Sequence, residues 1–397
     1  MATLVPAGLM GLAVVLGGPW ALAAVAYMTV LVACLDRFVA QDATNADPEA
    51  EFPAAQNLLI AIAILHVCVL AACVWAVGGA SGLSGLDRVL IVIAGGLMMG
   101  QISHPAAHEL IHKPGRALRL LGRLVYSTML IGHHASAHLR IHHVHVGSDA
   151  DPNSARRGEG FYRYVLRASV QSFRAGLRAE TKAHRQARKP LWRHPYMLYA
   201  VTAAATLALA GLIGGWVGLA GLLAVCIYAQ AQIYLSDYVQ HYGLRRAVLP
   251  DGRLEPVGPQ HSWNAPHWYS SALMLNAPRH SDHHVSPARP FPALQLDPER
   301  MPYLPHPVPV MAVLALVPPV WKRVMNPLCD RWQANTSQER PKVTARDIPH
   351  AVLARAKSGG IVPGALAQSG HASHLPDPVS DPSPAGAGPK PDERGGV

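Results

Sequence analysis

Hydrophobic residues in this chain gather into long runs that are apolar on every face. Six stand out: Leu4 to Gly17, Trp20 to Leu35, Leu58 to Val77, Val89 to Ile102, Tyr196 to Ile213 and Trp216 to Leu235. A helix that is apolar all round predicts a buried or membrane-spanning segment. Spanning takes roughly 17–25 residues, so the first, second and fourth runs need tilt, flanking residues or local bilayer thinning. The Gly17-Gly18-Pro19 break predicts a tight hairpin between two short helices in preference to one kinked helix. A further run, Val308 to Trp321, is interrupted by Pro309, Pro318 and Pro319. It is too short and broken to span, and is expected to pack at the membrane surface.

Composition agrees with the runs. Of the 397 residues half are hydrophobic and only 15% charged, with a mean hydropathy of +0.16. The fold class these values predict is an all-α integral membrane protein of about six transmembrane helices. Between Lys113 and Arg193 lie sixteen Lys or Arg against four acids, Asp149, Asp151, Glu159 and Glu180. The positive-inside rule puts that segment in the cytoplasm, and with it the N-terminus and the chain after Leu235. A net charge of +10 is here a membrane-facing surface that meets anionic lipid head groups, not a nucleic-acid site. The apolar start reads as a retained span, without a signal-peptide cleavage site. The five cysteines include no C-x-x-C pair and are expected to pack, not to bind metal or form disulfides. Residues 1–356 are expected to form one membrane-embedded catalytic domain. Residues 357–397, rich in Gly, Pro, Ser and Ala, predict a disordered tail, and its His371 and His374 receive no role.

Candidate chemistry sits where the apolar runs end. His108 and His112 follow the fourth run at i, i+4 spacing, which on a helix places two imidazoles on one face. His138 and His142 repeat that spacing, and His143 points about 100° away, toward a second ion or another coordination position. His280, His283 and His284 form a tighter cluster after Pro278, with Asp282 placed to orient an imidazole. A lone His241 follows the sixth run. Imidazole is the commonest neutral metal ligand, and these clusters imply more than one ion. Read alone, His108-Glu109-Leu110-Ile111-His112 is also the zinc protease signature, with Glu109 as general base. Such a site needs about three protein ligands and an open position, fewer than the chain offers.

HELIHK at 108–113, HLRIHH at 138–143, the stretch 151–156 (DPNSAR), YVQHYGL at 238–244 and RHSDHH at 279–284 together resemble the membrane-bound alkane 1-monooxygenase family, within the integral-membrane fatty acid desaturase and hydroxylase superfamily. The resemblance extends from about residue 20 to 300. It implies a non-haem centre of two iron ions, held by His108, His112, His138, His142, His143, His241, His280, His283 and His284. It also implies terminal hydroxylation of alkanes or similar hydrophobic chains with dioxygen, using electrons from a rubredoxin or ferredoxin and its reductase, in a bacterial inner membrane with the histidines on the cytoplasmic side. Where the family has Glu before the first histidine of its second motif, Gly before that motif's histidine pair and Glu before the lone histidine, this chain has Ala137, Ile141 and Gln240. Losing two anions predicts altered hydrogen bonding, redox potential and substrate choice.

Fatty acyl desaturation, and fatty acid or alkyl-aromatic hydroxylation, remain open on the same scaffold. A membrane metal transporter is the non-enzymatic alternative, but its ligands are expected in broken helices near the bilayer midplane, not at the ends of spans. His104, His133, His134, His145, His261 and His267 are expected to support the site, and His66, His184, His194 and His306 are left unassigned. Trp263 to Tyr269 is expected at the membrane interface, with a role in substrate entry left open.

Overall fold

Glycine decides where the first helices end. In the computed structural model, which describes residues 2–39, 42–79 and 81–339, α1 (Val5–Leu16) stops at Gly17 and Gly18, whose φ values are +60° and +54°. Left-handed backbone is cheap for glycine, and proline at a helix start forfeits no hydrogen bond. α2 (Pro19–Phe38) therefore begins on Pro19 and packs back on α1, as the hairpin required. Next come α3 (Pro53–Val77), α4 (Gly85–His112), α5 (Arg116–Thr128), α6 (residues 133–145), α7 (Phe161–Gln186) and α8 (Pro195–His241). The short α9 (Trp268–Leu273), α10 (His280–Val285) and α11 (Val308–Ala315) and the longer α12 (Pro318–Glu339) follow. No strand forms among the described residues beyond two isolated bridges.

Four helices are long and apolar enough to cross a membrane: α2, α3, α4 and α8. The protein is an all-α integral membrane protein. α1, at 12 residues, is shorter than a span. The 47 residues of α8 break at Gly215 (φ 59°, ψ −155°), between the fifth and sixth apolar runs. That conformation is open essentially only to glycine.

α3 and α8 meet on small residues. Gly214, Gly218 and Gly221 recur on one face of α8 and lie against Val74, Val77 and Gly78 of α3. In lipid, where apolar surface gains nothing by leaving its solvent, such stripes let backbones approach closely enough for dispersion to hold helices together. A Cβ on Gly78 would stand 2.5 Å from the Gly214 Cα. Gly78→Leu is expected to cost about 1–3 kcal/mol by overpacking, read as an earlier thermal unfolding transition in detergent. Gly8→Leu, with open space at its Cβ, should leave the midpoint in place.

Two features bring the histidines together. α7 buries Tyr164, Ala168, Ser172, Gly176, Glu180 and His184, each four residues after the last, so one stripe faces inward. Gly176 lets it lie close to α6, where a Cβ would be 3.2 Å from the Ala137 nitrogen, and Glu180 accepts a hydrogen bond from Ser136 (2.9 Å) and pairs with the Arg140 guanidinium (2.8 Å). Within α6, His138–His142 form a π turn, closed by i→i+5 bonds.

Two expectations are corrected. Trp263 and Asn264 are buried, not interfacial: the Trp263 indole donates to the Tyr242 carbonyl (2.9 Å), and Asn264 pairs with the Ser281 hydroxyl (2.7 Å) and backbone N–H (2.9 Å). These polar groups find partners inside the protein, which removes the reason to sit at a head-group layer. The run from Val308 becomes α11, which packs on α8 with Met311 fully buried, so it covers protein instead of lipid alone. Cys73, Cys226 and Cys329 are buried free thiols, as expected of packing residues.

Among the described residues, 248–253 form a small unit separate from the rest of the chain. It is a turn in which Leu249 N–H donates to the Arg253 carbonyl (2.7 Å). The proposed tail at 357–397, with His371 and His374, lies outside the described residues, as does the boundary at 356.

Candidate metal centre

The nine histidines singled out in the sequence fall into two groups. His108, His112, His138, His143 and His283 form one, and His142, His241, His280 and His284 the other; within each, the candidate ligand nitrogens all lie within 4.8 Å of one another. The groups abut, the His143 and His284 rings being 4.6 Å apart between centroids.

The π turn settles which histidine goes where. Regular helical spacing pairs His138 with His142; closure by i→i+5 bonds brings His143 beside His138 instead, their Nε2 atoms 2.9 Å apart, and sends His142 to the other group. In α10 the regular spacing holds, and His280 and His284 share a group with Nε2 atoms 3.1 Å apart while His283 joins the first.

Hydrogen bonding alone does not account for the contacts. His138 Nε2 lies 2.8 Å from His108 Nε2, 3.1 Å from His112 Nε2 and 2.9 Å from His143 Nε2. One ring nitrogen offers a single N–H or a single in-plane lone pair, so three such neighbours cannot all be bonded to it. Nitrogens about 2.1 Å from a common ion stand roughly 3.0–3.4 Å apart in octahedral or tetrahedral geometry, close to these separations. The residues fit a metal ion in each group. Five nitrogen donors in the first exceed the four of a tetrahedral zinc site.

Protonation agrees with that fit. Burial first, and neighbouring imidazoles second, hold His138, His143, His283 and His284 well below their ordinary pKa, and push His280 down to about 3. These rings are neutral, as ligands must be. His142 differs: burial pushes it down, but Asp151 outweighs burial and raises it. Its Nδ1 lies 2.8 Å from Asp151 Oδ2, while its buried Nε2 has no hydrogen-bond partner. Asp151, held low by His142 and by hydrogen bonds from Ser154 (2.7 Å) and Asn153 N–H (3.0 Å), fixes the proton on Nδ1 and leaves Nε2 its lone pair.

The orienting carboxylate is thus Asp151 and not Asp282. Asp282 is drawn off by the Arg289 guanidinium (2.6 Å) and Gln295 N–H (2.9 Å). Glu109 is likewise engaged, with Lys113 (3.4 Å) and Phe291 N–H (3.2 Å), so it stands as a structural anchor and not a poised base. Gln240 accepts from the Ser236 hydroxyl (2.8 Å) and donates to the Ala277 carbonyl (3.0 Å). One turn earlier, Asp237 lines the small space bounded by His104, His108, His134, His138 and His280, with one oxygen held by Asn153 (2.6 Å). A carboxyl group near the imidazoles is therefore present despite Gln240. Sequence spacing gave no sign of Asp237, which sits four residues before a ligand candidate, just past the end of the sixth apolar run.

Of the supporting histidines, His104 bonds Tyr126 (3.0 Å) and His134 stacks on His138. His261 Nδ1 accepts from Gly258 N–H and its Nε2 contacts Glu255 (2.9 Å). His133 and His267 stand outside both groups, as does His145. His66 pairs with Thr128 inside the bundle (2.8 Å), and His184 with the Pro190 carbonyl (3.0 Å).

Behind the centre, an apolar cavity of about 210 Å³ is walled by residues including Met28, Leu97, Tyr228, Leu235, Met274 and Val308. Ser236 lines both this cavity and the small space beside the histidines.

Comparison with known proteins agrees with this architecture. The fatty acid desaturase family matches residues 86–311, which hold all nine histidines. Alkane 1-monooxygenase 2 of Alcanivorax borkumensis is 31% identical over 78% of this chain and 82% of its own, and alkane 1-monooxygenase 1 of Pseudomonas aeruginosa 30% identical over the same shares. The xylene/toluene monooxygenase hydroxylase component of Pseudomonas putida is 28% identical over 55% of this chain and 58% of its own. Family and histidine clusters together point to a non-haem iron centre. The chain is an oxidoreductase that belongs to the fatty acid desaturase family, and within it to the alkane monooxygenases.

Proposed function

We propose that the nine histidines hold two iron ions, and that the protein hydroxylates the terminal carbon of an alkane or similar hydrophobic chain. One observation carries this function: two abutting nitrogen groups border a small space that shares Ser236 with the wall of an apolar cavity. The ions supply the oxidising power, from dioxygen and external electrons, that breaking a strong C–H bond demands and no side chain provides. The chain's own residues bind and orient. Apolar walls take a hydrocarbon from the bilayer and exclude water, α4 and α8 aim its end at the histidines, and Asp151 keeps His142 in one tautomer. Electrons come from a rubredoxin or ferredoxin through a reductase, with the histidines on the cytoplasmic side of a bacterial inner membrane and residues 1–356 as the catalytic domain.

The test is product analysis under labelled dioxygen, with cells supplied with alkanes, fatty acids and xylenes. A terminal alcohol with one labelled oxygen atom is expected. An unlabelled alkene would assign the protein to desaturation on the same scaffold, and a labelled benzylic alcohol from xylene alone would make it an alkyl-aromatic hydroxylase. No oxidised product, with metal carried across the membrane, would make it a transporter.

A further inference from the structure

The cavity behind the centre is not wholly apolar. Gln101 lines it from α4 and Gln232 from α8. Gln101 is 9% exposed, and neither end of its amide has a hydrogen-bond partner among the described residues; its Oε1 is fully buried. Gln232 donates from Nε2 to the Gly96 carbonyl (2.7 Å), leaving Oε1 without a partner. Both line the same cavity, and Gly100, next to Gln101, lies against the Gln232 side chain, where a Cβ would stand 2.7 Å from it. A polar side chain in a span is costly, and one left unpaired has no packing reason to be there.

We infer that the cavity also takes a hydrocarbon chain bearing a hydroxyl group, which the Gln101 amide and the Gln232 oxygen bind, so that a long-chain alcohol is bound in preference to a plain alkane of the same size; this rests on the hydroxylase function proposed above. A hydroxyl both donates and accepts, and so satisfies an amide whose two ends are free, whichever way that amide is turned. A methylene placed there leaves both ends unpaired. Gln101 precedes His108 by seven residues and Gln232 precedes His241 by nine, about 10–14 Å along their helices. An extended chain advances about 1.2 Å per bond, so the hydroxyl sits about nine to eleven bonds from the reacting end. Chains near ten carbons fit.

Binding to the purified full-length protein in nanodiscs tests this with no turnover, using 1-decanol, its isomer 1-methoxynonane, which has no O–H, and undecane of nearly equal size. Wild type is expected to bind 1-decanol about tenfold more tightly than the ether, the worth of one or two hydrogen bonds. Gln101→Leu and Gln232→Leu should each shrink that preference several-fold while undecane binding holds or tightens. Equal wild-type affinity for decanol and the ether overturns the inference, whatever the variants do. So does a preference that both variants retain. Failure of the hydroxylase function looks different: decanol binds selectively, yet labelled dioxygen leaves no label in any product.

Discussion

Protein purified with His138 replaced by alanine is expected to hold about one iron in place of two, and to lose turnover by at least about 100-fold. His138 is the hub of its group, its Nε2 within 3.1 Å of the Nε2 atoms of His108, His112 and His143. Removing it takes away one donor and opens a void that the remaining four rings cannot close without leaving their helices. Second-shell changes alone typically cost 10–100-fold in metal affinity or activity, and a direct ligand exceeds that. The membrane helices do not depend on this ring, so expression and detergent behaviour should be kept. His306→Ala, a loss of one exposed imidazole, serves as control. Elemental analysis that still finds two irons in the His138→Ala protein would remove the five-histidine group as a metal site.

Asp151→Asn is the second large effect, and the sharper one, because the residue touches no candidate ion. The carboxylate accepts from His142 Nδ1 at 2.8 Å and is itself steadied by Ser154 and Asn153. An amide in its place can turn its NH2 toward the ring, which favours the tautomer with the proton on Nε2, where a lone pair is needed. Iron affinity of the four-histidine group is expected to fall about 10–100-fold, seen as earlier loss of one iron per chain during titration with a chelator. The five-histidine group should keep its ion. Equal chelator resistance in both proteins would show that His142 does not bind metal through Nε2.

Much of this centre was legible in the sequence because its chemistry follows helical period. His108 and His112 share a group as i, i+4 spacing requires, and His280 and His284 do the same. The apolar runs, the hairpin at Gly17 and the membership of all nine histidines were equally readable. His138 and His142 were not, since a π turn differs from an α turn by one hydrogen-bond register and is chosen by packing against α7 at Gly176, which local spacing does not encode. Asp151 hid in a loop, where the distance from residue 142 says nothing about direction. Asp282 misled for the opposite reason: adjacent in sequence to two histidines, it was taken by Arg289, seven residues on. Trp263 showed the limit of composition, since an aromatic near a span is as apt to fill a core as to sit in a head-group layer.

The division of the histidines has a consequence for how the site moves. His142 and His143 are neighbours in sequence yet belong to different groups, and so are His283 and His284. Each pair links the two nitrogen groups through a single peptide unit, whose Cα atoms are fixed about 3.8 Å apart by covalent geometry. Two such staples, one in α6 and one in α10, tie the two nitrogen groups together through the backbone. His108 and His112 come instead from α4 and His241 from α8, each helix serving one group alone. A displacement of α4 or α8 would therefore disturb the histidines of a single group, whereas one of α6 or α10 would disturb both.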